Sequence, residues 1–132
     1  MRSRTPVSND DRGSSPVEFV LVGALLTLLT LGVLQFGLIV YVRNVVHDAA
    51  VEGAYRGALA DQTVSDGASR TRDLIAHAVG SAYAEDVTAT RVIVAGQATI
   101  RMTVRAPLPL AGLLGVPRVL EVSADAPVET LG

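Results

Sequence analysis

The pattern of apolar and polar positions divides the chain into three stretches. Residues 1–18 are mostly polar. Phe19 to Val42 then runs for 24 positions without a charged residue, between Glu18 and Arg43. Beyond Arg43 the apolar residues become periodic, first at helical spacing and then in alternation. The uncharged run predicts a single membrane-spanning helix. At about 1.5 Å per residue it covers about 36 Å, against a hydrocarbon core of about 30 Å. Sixteen of its residues are Leu, Val, Ile or Phe. Together they favour insertion by on the order of 7 kcal/mol. A cleaved secretory signal has a shorter apolar region and a small-residue cleavage site, and neither is present.

Helical patterning continues past the run. Residues 43–60 lack Pro, and Ala49, Gly53 and Gly57 recur at i, i+4, i+8 as a smooth strip. A helical Gly costs about 1 kcal/mol relative to Ala, so the strip implies close packing. Its partner is either the protein's own sheet or a neighbouring subunit. One helix over 16–60 would be about 65 Å long. Residues 61–67 predict a loop. Residues 68–83 predict a second helix with Leu74, Ile75, Ala78, Val79 and Ala82 on one face.

The period then changes to two. Strands are expected at 91–95, 98–106 and 118–126, with Gly96-Gln97 as a hairpin turn. Ile100, Met102 and Val104 face inward, and so do Leu120, Val122 and Ala124. Thr99, Arg101, Thr103 and Arg105 face water. The apolar, proline-bracketed stretch 107–117 is a loop that packs on the domain, dips into the lipid interface or meets a partner. The expected fold is α+β: a long N-terminal helix, a short second helix and a small antiparallel sheet of about three strands. The expected domains are a basic leader at 1–13, a transmembrane helix at 14–42 and a helix-plus-sheet domain at 43–132.

Charge sets the topology and excludes some functions. All 11 basic residues are Arg, and three of them, Arg2, Arg4 and Arg12, precede the span. That bias places the N-terminus in the cytoplasm and the C-terminal domain outside. From Arg43 onward eight Arg mix evenly with ten acids, without the basic stripe of a nucleic-acid binder. There is no Cys, hence no disulfide and no thiolate ligand. His47 and His77 lie on different predicted helices and read as solvated residues rather than metal ligands. No nucleophile motif or phosphate loop occurs. The chain is expected to be non-enzymatic, without cofactor or metal.

The start of the long helix has a local explanation. Ser15 as N-cap, Pro16 at the first helical position and Glu18 at the third form a capping box. Within the span, Gly23, Thr27, Thr30, Leu34 and Gly37 share one side, which reads either as a small-residue surface on which helices pack in lipid or as the ordinary glycine content of a membrane helix.

Gly13-Ser-Ser-Pro-Val-Glu18-Phe19, after a short basic tail and before an apolar helix, resembles the type IV prepilin signal. Arg12-Gly13 with Val17-Glu18-Phe19, followed by Asp48-Ala-Ala-Val-Glu-Gly-Ala54, is similar to the TadE family of tight-adherence pilus assembly proteins over about residues 12–60. The resemblance implies a pilin-like fold and cleavage after Gly13 by a prepilin peptidase. Ser14 would become the new N-terminus and Glu18 the fifth residue. It also implies pilin-like subunits and assembly-platform proteins as partners, besides membrane lipid. A new α-amine on Ser14 is cationic at neutral pH. Glu18 of one subunit would pair with the Ser14 amine of the next. The alternative on the residues alone is an uncleaved, single-pass, membrane-tethered binding module.

Overall fold

A computed structural model describes residues 1–3, 13–109 and 119–131. The apolar run and the small-residue strip belong to one helix, α1, Ser14–Ala58, of 45 residues. It begins one residue before the expected cap, so Ser15 and Pro16 both lie in the first turn. There the missing N–H of Pro16 removes no intrahelical bond. At the other end the Ala58 carbonyl accepts the backbone N–H of Glu129 at 2.9 Å, which satisfies one of the orphan acceptors of a helix terminus.

The chain divides into two units, residues 1–34 and 35–132. In the first, α1 is exposed on every side. It contains a window of mean hydropathy 2.3 with none of it buried, long and apolar enough to cross a membrane. Its two threonine hydroxyls fold back onto the helix: Thr27 Oγ1 donates to Gly23 O and Thr30 Oγ1 to Leu26 O, both at 2.8 Å. Neither threonine then leaves a free hydroxyl donor facing an apolar medium.

In the second unit the rest of α1 buries one stripe: Val42, Val46, Ala49, Ala50, Gly53, Ala54, Gly57 and Ala58. Two elements cover it. One is α2, Val64–Ala78. The other is a three-stranded antiparallel sheet in the order β1 (Asp86–Val94), β2 (Gln97–Pro107), β3 (Val119–Pro127). The inner sheet face supplies Ile100, Met102 and Val104, all fully buried, with Leu120, Val122 and Ala124 beside them. Burying each large side chain stabilises the fold by roughly 1.5–3 kcal/mol. The outer face carries rungs of opposite charge and paired hydroxyls: Arg101 with Asp125 at 2.7 Å, Arg105 with Glu121 at 3.0 Å, and Thr103 with Ser123 at 3.2 Å. The α+β class and the alternation along β2 and β3 are as expected.

Five details differ. α2 starts at Val64, inside the expected loop. Thr63 caps it by accepting from the Asp66 N–H, while the Asp66 carboxylate accepts from the Thr63 N–H. α2 also ends earlier, at Ala78, because Gly80 turns the chain at φ +114°, and Ala78 and Ala82 are left exposed. β1 begins at Asp86, ahead of the strand expected at 91–95, so residues 86–89 pair with 102–105. The hairpin turn is Ala95-Gly96 and not Gly96-Gln97. Both residues have positive φ, 49° and 80°, and Gln97 pairs with Val94. A two-residue turn with positive φ at both positions follows the right-handed strand twist. Thr99, expected to face water, is buried between Val92 and Pro127 on the neighbouring strands.

Candidate functional site

Gly13, Ser14, Glu18 and Phe19 lie at the start of α1, and all four are exposed. Phe19 is 80% exposed. Glu18 follows Ser14 by four residues, so the two share a helix face. Arg4 to Arg12, most of the expected leader, lie outside the described residues.

The expected packing residues fall into two environments. A Cβ built on Gly23 or Gly37 meets nothing within 4 Å, and the same holds at Gly32. Gly23, Thr27, Thr30 and Gly37 therefore form an open row along α1. Ala49, Gly53 and Gly57 are covered, and mainly by α2. A Cβ on Gly53 would stand 1.7 Å from Thr71 Oγ1 and 2.7 Å from Gly67 O. One on Gly67 would stand 2.5 Å from Gly53 O and 3.0 Å from the Gly57 Cα and N. The two helix backbones therefore touch at a glycine-on-glycine crossing. Thr71, fully buried, donates towards Ala49 O at 3.2 Å and Gly67 O at 3.1 Å, and so bridges the helices. Arg70 pairs with Glu52 at 2.6 Å across the rim. At Gly57 the sheet also approaches, with Ile100 Cγ2 at 3.6 Å from the built Cβ. Gly67 and Thr71 were not anticipated. The signal that finds them is Thr63-x-x-Asp66, which brings Gly67 inside the helix and places Thr71 one turn beyond it.

Polar groups elsewhere are satisfied locally. An open cleft of about 260 Å³ is lined by Arg56, Asp66, Ser69, Arg70 and Asp73, with both signs of charge represented. The hydrogen bond from the Thr63 side chain, and then that from its backbone, hold the Asp66 carboxyl below the usual range. The Arg101 hydrogen bond does the same for Asp125. His47 Nδ1 lies 3.8 Å from Asp48 Oδ1, and His77 Nδ1 lies 2.7 Å from Asp73 O. Among the described residues no group of three or more His, Cys, Asp or Glu is placed to hold a metal ion.

A family model described as TadE-like protein matches residues 13–54. The chain contains a TadE-like domain. It begins at Gly13, takes in the whole exposed apolar part of α1 and ends one residue past Gly53. TadE-like proteins are structural, non-catalytic components. α2 and the sheet lie beyond the TadE-like match. No curated protein and no solved structure matches the chain.

Proposed function

We propose that the protein is a non-enzymatic TadE-like pseudopilin or pilus assembly component of a tight-adherence apparatus, serving adhesion or secretion. The observation that carries this reading is the join between a Gly13-to-Phe19 start and an exposed, uncharged stretch of helix within a TadE-like match. Residues 1–13 form a cytoplasmic leader, α1 crosses the cell membrane once, and the C-terminal domain lies outside. A prepilin peptidase cuts the Gly13–Ser14 bond. The open row Gly23, Thr27, Thr30, Gly37 then packs against the apolar helices of pilin-like partners and assembly-platform proteins. Small side chains let helix backbones approach closely in lipid, where apolar surface alone gives no preference for another helix over a lipid tail.

Glu18 has a specific part in this reading. A carboxylate at the border of an apolar helix is stabilised by a cation. Cleavage creates one, the Ser14 α-amine. Pairing Glu18 with the amine of the next subunit sets the axial register of the two helices.

Intact mass and N-terminal sequence of the membrane-purified protein test the proposal. The expected chain begins at Ser14. An intact Met1 start in cells with an active prepilin peptidase would refute the processing step and leave a tethered module. For the register step, Glu18→Ala is expected to be cleaved yet not assembled. Normal assembly of that variant would sink the pairing.

A further inference from the structure

One stretch of α1 belongs both to the uncharged run and to the packed unit. Gln35, Ile39 and Val42 face the domain. The Gln35 amide donates to the Pro109 carbonyl, Ile39 is half-buried and Val42 is 2% exposed. Phe36, Leu38, Val40 and Tyr41 between them are 69%, 45%, 39% and 53% exposed. The packed domain thus carries an exposed apolar strip midway along α1, where the run enters it.

We infer that this strip, together with Leu108 and Pro109 at the same level of α1, is seated in the outer boundary of the lipid bilayer. The domain then rests in the membrane surface and is not held clear of it on a stalk. The inference depends on α1 being a membrane span. Length supports it: about 20 helical residues cross a hydrocarbon core of about 30 Å. Counted from Phe19, they end at Leu38. Gln35 to Leu38 therefore occupy the last turn of lipid. Tyr41 falls at headgroup level, where Tyr rings concentrate, and Arg43 beyond it.

The polar chemistry agrees. Gln35 is the one amide side chain in the run from Phe19 to Val42. An amide without a partner is costly in lipid. The Pro109 carbonyl accepts a hydrogen bond from it, and a proline brings no N–H that would itself need a partner. The strip continues the span without a charge or a break, and that continuity identifies lipid as its occupant.

The absence of Cys makes single-cysteine probes available. Full-length protein carrying Leu28→Cys, Phe36→Cys, Leu38→Cys or Asp48→Cys is labelled with a fluorophore. Each variant is reconstituted in phosphatidylcholine–phosphatidylglycerol vesicles with and without acyl-brominated lipid. Quenching at 28, 36 and 38 is expected to exceed that at 48 by about threefold or more, since bromine reports depth in the acyl region. Quenching at 28 with positions 36 and 38 as unquenched as 48 would overturn the seating while leaving the span intact. An unquenched position 28 would overturn both. Probe-to-probe energy transfer at 36 and 38 that survives dilution with lipid would assign the strip to a second copy, and would equally overturn the inference.

Discussion

Replacing a glycine inside a helix with alanine normally stabilises the helix by about 1 kcal/mol. At Gly67 the sign is expected to reverse. The new Cβ would stand 2.5 Å from Gly53 O and 3.0 Å from two backbone atoms of Gly57, none of which is a side chain able to rotate away. Bringing the shortest contact to 3.4 Å, the lower end of ordinary van der Waals contact, requires α1 and α2 to part by about 0.9 Å. Added to the 3.2 Å between Thr71 Oγ1 and Ala49 O, that shift carries the interhelix hydrogen bond to about 4.1 Å, out of bonding range. Overpacking of this kind costs roughly 1–3 kcal/mol, and the lost hydrogen bond about 1 more. Set against the propensity gain, the net is about 1–3 kcal/mol of destabilisation. Amide hydrogen exchange of the full-length protein in micelles reads it directly, in peptides spanning 64–78. Protection there is expected to fall about 5- to 150-fold. Gly57→Ala is the matched control, because its Cβ meets atoms only at 3.5 Å and beyond. It keeps the propensity gain of up to about 1 kcal/mol. Equal or greater protection in Gly67→Ala than in Gly57→Ala would refute the glycine-on-glycine crossing.

Four further outcomes follow from the same geometry. Thr63→Ala removes the cap of α2 and is expected to cost about 1 kcal/mol, seen as lost exchange protection in its first turn. Ala95→Asn relieves a non-glycine residue at φ 49° and is expected to raise the thermal midpoint, with a gain of about 0.5–1 kcal/mol. Ile100→Ala empties a fully buried position on the inner sheet face, and denaturant titration is expected to show a loss of about 2–5 kcal/mol. Asp66 and Asp125 are held below the ordinary Asp range in the folded state, so the unfolded chain takes up their protons first as pH falls. Their contribution is complete above about pH 4 and is lost as pH drops through the depressed folded values, so thermal melts of Asp66→Asn and Asp125→Asn should show a flatter acid limb than the parent.

What the sequence displays depends on how one-sided each element's burial is. Ile100, Met102 and Val104 alternate with exposed or half-exposed polar residues, because β2 is central and one of its faces is packed along its length. β1 was legible only in part. It is an edge strand whose core-side residues Arg91 and Ile93 are exposed, so its pattern fades where coverage ends. The start of α2 was hidden for a chemical reason. Its capping box uses Asp66 where Glu or Gln is the familiar partner, and Gly67 looked like a loop residue. The start of α1 was legible because Gly13, Glu18 and Phe19 sit at the border of an uncharged run, where each stands out.

The small-residue positions of α1 show why a pattern names a surface before it names a partner. Gly23 and Gly53 look alike in sequence: each lies on a helical row of small side chains. At Gly53 the row is taken up within the chain, by Gly67 and Thr71, and the contact leaves no room for a methyl group. At Gly23, Gly32 and Gly37 the space is open. The cost of placing these glycines in a helix, about 1 kcal/mol each, is offset at Gly53 by close packing of α1 on α2. At the open positions the same cost has no compensation inside the described chain. Close approach of a second helix in lipid supplies one, because there small residues gain packing that large apolar side chains do not. The open row is therefore where the proposed assembly contacts belong, and the covered strip, although the more conspicuous in sequence, is where they do not.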